Sequence, residues 1–466
     1  LNGEKRKMFT LSTLYALTAL AVFAGLVAFL IAARAKLKWK FSVRVVAALV
    51  LGSLFGAAVN LIFQDSVKSG AGASVLEWVN LVGAGFTALL RFIIVPLIVV
   101  SIVNAIGKTT SSKEGAKKAG QIIAFLLATT AVVAVLSIAV LSLFPFTREG
   151  LSSLVDQNTA VAAPSSVAET LLNLIPSSFF GALAGDGILP VVFVAALLGF
   201  VSVALKKDES TRPSAERFEK GMTVAYDFVL KIVDYVIELT PYGILAIIAT
   251  RIAKGNWQMF VQLGLFVGVS FTAMILVFAL HLIALFFLGC GPKKYFSTSG
   301  VTLLNAFTTR SSAATLPLTR DSLKKLGADE ATADLASTLG TCIGQHGCAG
   351  VYPTMVAILA GIAQGWNSYS LLFLVPLVIY VVIASIGTAG VGGGAFNVSL
   401  LVLTLIGLPI ELAVIFMAVD FIVDMGRTAL NVSDSLLAGV VVHKWNSRKK
   451  SAGNGAARSI GGAENA

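Results

Sequence analysis

Asp420, Asp424, Arg427 and Asn431 fall within one short stretch, DFIVDMGRTALN, inside an apolar segment near the C-terminus. On a helix, spacings of four, three and four put all four side chains on one face. That face offers carboxylates for an ammonium, a planar fork for a carboxylate, and an amide. An amino acid is the ligand such a face suits. Each charge at a helix centre in a bilayer costs about 2.5–3.5 kcal/mol on the insertion scale, so these residues are expected to face a cavity or pathway. The plainer alternative is a structural Asp–Arg pair holding two helices together.

The elements that carry this face belong to a membrane. The chain has 466 residues, 56% hydrophobic and 13% charged, with mean hydropathy +0.87; a soluble domain carries about 25% charged residues. Apolar segments of spanning length recur, so helices rather than a barrel are predicted. They fall near residues 9–33, 43–63, 75–106, 119–145, 186–205, 218–250 and 257–289. The net charge of +11 is concentrated in short loops, as the positive-inside rule expects, with no basic–aromatic groove for nucleic acid. Loops holding Lys36 to Arg44, Lys108 to Lys118, Lys206 to Lys220 and Lys293–Lys294 read as cytoplasmic, as does the tail from His443. The N-terminus then lies outside, and Lys5, Arg6 and Lys7 fit only if Met8 is the start. Cys290, Cys342 and Cys348 form no CxxC pair and no disulfide framework.

After Tyr295 the apolar runs are interrupted by small polar residues rather than charged loops. Three clusters do this: Thr308 to Pro317 (TTRSSAATLP), Gly340 to Gly350 (GTCIGQHGCAG) and Ala384 to Ala395 (ASIGTAGVGGGA). Each alone is as readily a helix-packing device. Glycines and hydroxyls at membrane depth also permit helix breaks and re-entrant tips, where these line an aqueous site. The first tip precedes a helix over about 330–364 and the last precedes one over about 409–446, a hairpin-plus-helix unit used twice. Interrupted segments in corresponding halves point to a transporter's binding site.

TRSSAATLP, ASIGTAGVGGGA and DMGRTALNV resemble the dicarboxylate/amino acid:cation symporters, over about Lys40 to Lys444. Within that family GQHGCAGVYPTM and GVGGGA look most like the bacterial L-cystine symporters. The resemblance implies an all-α polytopic elevator transporter with two re-entrant hairpins, inverted repeats and about nine transmembrane helices, one of them an extra N-terminal span. It implies residues 1–42 as extension and extra span, and 43–290 as scaffold and peripheral transport-domain helices. Residues 291–446 would be the transport core and 447–466 a disordered cytoplasmic tail. A homotrimer in the bacterial inner membrane, in contact with lipid, follows from the same resemblance. No cofactor and no enzymatic activity are expected.

The resemblance also implies roles. Asp424 takes the substrate ammonium, and Asn431 with the backbone at Arg310, Ser311 and Ser312 takes the main-chain carboxylate. Arg427 takes the remote carboxylate with Asp420 orienting it. Val391 and Gly392 close the site, and Thr428 and Cys348 complete its wall. One sodium site, built from backbone carbonyls at Ser385, Ile386 and Thr388 with the turn at Cys342 and Gln345, is retained. Two others lose their carboxylates: His346 replaces one aspartate, and Ser435 stands where the other belongs, with Asp434 one position early. The coupling cation is therefore sodium or a proton. His346 is read as a neutral, hydrogen-bonded histidine of the broken turn, with a proton carrier as the sharper alternative. His281, His346 and His443 are scattered along the sequence and make no catalytic pattern, and a channel has no need of a face shaped for a zwitterion. Gly392–Gly394 would give cystine room; a glutamate, aspartate or C4-dicarboxylate symporter is the runner-up.

Overall fold

The computed structural model describes residues 2–67, 70–107, 113–152, 175–176, 178–184, 188–255, 257–386 and 394–461. Regular structure among them is helical, with one isolated bridge between Ile343 and Ile386. Lipid offers no partners for backbone N–H and C=O groups, and helices satisfy theirs internally. Six helices are long and apolar enough to cross a membrane, and Arg212–Glu238 with Thr240–Ala253 makes a seventh span if counted together. The sequence suggests one span over 218–250, but the chain bends by 42° at the break between these two helices. Pro241 lies in the first turn of the second helix, where its missing N–H costs nothing to that helix. Phe193–Leu205, Leu371–Ala384 and Gly394–Ile406 are apolar but shorter.

Burial separates periphery from centre. The N-terminal span Thr13–Ala35 is 17% buried, whereas His346–Ala363 is 94% buried. The second pair, Leu371–Ala384 with Gly394–Ile406, packs on that inner helix, while the first hairpin, Pro292–Thr309 with Ser312–Lys325, packs on the last helix and on Glu330–Leu339. Antiparallel pairing in the first is fixed by Thr302 Oγ1 to Ser322 Oγ at 2.8 Å and Asn305 Nδ2 to Thr315 Oγ1 at 3.0 Å. The helix expected over 330–364 is two: Glu330–Leu339 and Tyr352–Ala363, joined through a wide π turn over His346–Val351. The last helix runs Glu411–Gly461, past its expected end near 446. Gly52 and Gly56 seat the helix Phe41–Phe63 on the backbone of Thr240–Ala253; a side chain there would collide with the carbonyls of Leu245 and Ala249.

At one end of this core Asp329 ties three elements together. Its carboxylate caps Glu330–Leu339 through Thr332 N at 3.1 Å, accepts from Lys118 Nζ at 2.8 Å, and lies 3.0 Å from His443 Nδ1. Burial works to raise this carboxyl, but the bonds from Lys118, His443 and Thr332 outweigh it and hold it well below the usual carboxylate range. A lowered folded value stabilises above the ordinary carboxylate range, and that stability is lost as pH falls through the lowered value. Asp329→Asn keeps a capping side chain and removes the charge. Its melting temperature in detergent is expected to fall by about 1–3 °C at pH 7, since the pair is partly solvated. The gap from wild type should narrow below about pH 4.

Candidate functional site

The face predicted on the last helix is buried. Asp420, Asp424, Arg427, Thr428 and Asn431 are each at most 7% exposed, and Arg427 is at 0%. Arg427 Nη2 lies 2.7 Å from Asp420 Oδ1 and 2.9 Å from Asp424 Oδ1. Thr428 Oγ1 donates to Asp424 Oδ1 at 3.5 Å. The guanidinium carbon sits 4.3 Å from the ring centre of Tyr352, a cation–π contact from the helix after the π turn. Arg427 Nε and Nη1 are buried and have no hydrogen-bond partner among the described residues.

Asn431 fastens the π turn to this helix. Its Oδ1 accepts from Gly347 N at 2.8 Å and Cys348 N at 3.3 Å, while Nδ2 donates to Cys348 Sγ at 2.9 Å and Gln345 Oε1 at 3.3 Å. Four groups of the turn are thus met by one amide. The approach is close because residue 347 has no side chain: a Cβ there would stand 2.6 Å from the Arg427 carbonyl oxygen. On its other side the turn bonds to the second hairpin helix, with Gly344 N donating to Ser385 O at 3.1 Å beside the Ile343–Ile386 bridge. Cys342, Gln345, Ser385 and Ile386, expected around a cation, therefore converge. Thr388, Val391 and Gly392 lie outside the described residues.

The tip of the first hairpin reaches the same place. Arg310 ends one helix in the left-handed region at φ 54°, and Ser311 begins the next by accepting from Ala314 N at 3.1 Å. Ser312 is buried. A cavity of about 380 Å³ brings Arg310, Asp420 and Asp424 against Arg34, Glu238 and Thr240. Arg34 Nε pairs with Glu238 at 3.3 Å, and buried Arg44 pairs with the same carboxylate.

Two of the histidines that look scattered in sequence are in contact. His281 Nε2 is 2.8 Å from His346 Nδ1. The row continues from Tyr295 OH to Ser433 Oγ at 2.9 Å, from Ser433 Oγ to His281 Nδ1 at 2.9 Å, and from His346 Nε2 to Thr129 Oγ1 at 2.8 Å. Thr129 Oγ1 donates to the Phe125 carbonyl at 2.7 Å. Carbonyls only accept, which sets the direction: His346 donates from Nε2, His281 from Nε2, and Ser433 to His281 Nδ1. Every hydrogen then has a place, with both rings neutral. His443 is apart, at the Asp329 cluster.

Comparison with known proteins bears on residues 41–445, which match the model of the sodium:dicarboxylate symporter family. The chain belongs to this family. A symporter of Haemophilus influenzae, named as uncharacterised, is 36% identical over 409 residues, 85% of this chain and 92% of its own. The L-cystine uptake protein TcyP of Bacillus thuringiensis (strain Al Hakam) is 35% identical over 421 residues, covering 87% and 89%. TcyP of Bacillus licheniformis is 36% identical over 447 residues, covering 93% and 95%. This symporter is a multi-pass membrane protein of transport function.

Tyr352, His281 and the Arg34–Glu238 wall were not legible as site residues. Tyr352 stands in the quoted GQHGCAGVYPTM motif, four positions past Cys348, and that spacing was the available signal for it. Nothing local marks His281. The close seat of Gly347 gives a test: Gly347→Ala is expected to lower transport per folded molecule at least tenfold while the protein still reaches the membrane. Uptake normalised to surface protein measures it.

Proposed function

We propose that the chain takes up L-cystine by cation-coupled symport, and the guanidinium of Arg427 carries the reading. A buried donor left unsatisfied costs about 1–3 kcal/mol. Arg427 has two such donors, Nε and Nη1, beside a pair of carboxylates. A remote substrate carboxylate is the acceptor this guanidinium lacks; Nε and Nη1 lie on different edges of its plane, so the carboxylate takes one of them. Asp424 receives the substrate ammonium, and Asp420 keeps the guanidinium in place. Asn431 and the backbone at Arg310, Ser311 and Ser312 receive the main-chain carboxylate. Thr428 and Cys348 wall the site, and Val391 with Gly392 close over it.

Cystine is favoured over aspartate on two grounds. The TcyP relatives bear the name of L-cystine uptake proteins. The cavity beside Asp424 also extends to Arg34 and Glu238, giving the second amino-acid head polar walls. Backbone carbonyls at Cys342, Gln345, Ser385, Ile386 and Thr388 are oxygen donors suited to sodium, a hard cation. His346 serves as a neutral spacer in the donor row, since both its nitrogens are engaged.

The mechanism is an elevator. Residues 291–446 form the moving core, built as inverted repeats with two re-entrant hairpins, and residues 43–290 provide scaffold and peripheral helices. Three copies assemble in the bacterial inner membrane, with the N-terminus outside and the C-terminus in the cytoplasm.

Reconstituted protein should show counterflow of labelled L-cystine that excess aspartate, glutamate or C4 dicarboxylates inhibit weakly. Strong competition by aspartate without cystine exchange selects the acidic amino-acid reading instead. Arg427→Ala removes a charge-assisted bond of about 1.5–3 kcal/mol, so the apparent KM for cystine should rise on the order of 10- to 100-fold. Wild-type uptake in that variant excludes Arg427 from its role. His346→Gln is expected to reduce uptake while leaving its dependence on the proton gradient intact; loss of that dependence makes His346 the carrier.

A further inference from the structure

Asp434 is a carboxylate with no exposed surface, placed between the donor row and the substrate face on the last helix. Its Oδ2 accepts the backbone N–H of His346 at 2.7 Å, and its Oδ1 lies 3.3 Å from Ser435 Oγ. Among the described residues its one ion-pair contact is His346 Nδ1 at 3.9 Å. That nitrogen is an acceptor already filled by His281 Nε2–H, so it supplies no positive charge. The other titratable groups on this side are His281, from the helix Met259–Phe287, and Tyr295, from the first hairpin, both reached through Ser433. One turn away on its own helix stand Leu430, Asn431, Leu437 and Ala438. Thr129, from the helix Lys113–Ser142, meets His346 rather than Asp434.

A bare carboxylate in these surroundings is far too costly to persist; it must bind a cation or a proton. The neighbours decide between them. Hard cations need several converging oxygens, whereas here the backbone N–H groups of His346 and Ser435 point at the carboxylate. No group of three or more His, Cys, Asp or Glu that could hold a metal occurs among the described residues. A proton fits these hydrogen bonds. Ser435 Oγ lies 3.0 Å from the Asn431 carbonyl and 3.3 Å from Asp434 Oδ1; it donates to the ionised carboxylate, and once Oδ1 is protonated it turns its hydrogen to the carbonyl and accepts. A hydrogen on Oδ1 would have an acceptor waiting.

We infer that Asp434 is the group that carries the coupling proton through the transport cycle. One proton adds to Oδ1 from the aqueous side where substrate loads, giving a neutral acid. It returns to water on the side where substrate leaves, and no other bond changes. Coupling to cargo runs through the π turn. Asp434 holds the His346 N–H, and Asn431 holds the next two, Gly347 and Cys348. The proton state of one residue therefore sets the purchase of the turn on the amide that faces substrate. This rests on the symport reading and not on which cargo is carried.

The test uses proteoliposomes with a pH gradient alone, a sodium gradient alone, or neither. Wild type is expected to concentrate cystine under the pH gradient in sodium-free buffer, with cystine-dependent alkalinisation of the medium. Asp434→Asn, whose amide resembles the neutral acid, is expected to keep measurable counterflow and to lose proton-driven accumulation at least tenfold. Proton-driven accumulation at the wild-type level in that variant overturns the inference, as does wild-type uptake that moves no proton. If the asparagine variant does not fold, Asp434→Glu decides. It retains a titratable group and should shift the pH at half-maximal uptake, and an unshifted profile overturns the inference. Absence of cystine counterflow in wild type is a failure of the cargo reading, and the same gradients are then applied with aspartate.

Discussion

Everything in the core depends on keeping one guanidinium charged while it is buried. Arg427 has no exposed surface, yet it lies between two carboxylates and under an aromatic ring. Breaking such a buried pair by removing one partner costs several kcal/mol, because an uncompensated charge is left behind. Asp420, Asp424 and Tyr352 are therefore bound to Arg427 as a set. The last helix and the helix after the π turn cannot separate without exposing it.

The π turn is the second constraint. An α-helix continued through Gly340 to Gly350 would use its own N–H groups and have nothing to offer a neighbour. Widened and broken, it presents N–H groups outward, and side chains of the last helix take them: Asp434 the first, Asn431 the next two. Breaks of this kind survive at membrane depth only where other parts of the protein supply the missing partners. Here one amide and one carboxylate on successive turns of a single helix supply them, so the turn and that helix form one unit.

The broad organisation was readable from residue patterns. Apolar run lengths located the peripheral spans, and the spacing within DFIVDMGRTALN placed Asp420, Asp424, Arg427 and Asn431 on one face, as found. Less was readable where contacts join residues far apart in the chain. His281 meets His346 across 65 positions, and Lys118 meets Asp329 across 211. No local periodicity carries such pairings. Asp434 looked like a misplaced copy of a carboxylate one position later. On a helix, one position is a rotation of about 100°, and that rotation turns it from one neighbour to another, the π turn. The bend at Leu239 was missed because an apolar run continues through it, and Pro241 is tolerated in a first turn as well as at a break.

The N-terminal span lies outside residues 41–445, the part the family model matches, and is mostly uncovered by the rest of the chain. Its last turn nevertheless delivers Arg34 to Glu238 and to the wall of the cavity beside Asp420 and Asp424. The tilt of such a helix is set by the neighbours it does have and by interfacial anchors such as Arg34, not by its apolar length. Through Arg34, a span that the rest of the chain barely covers forms part of the wall beside the buried carboxylates.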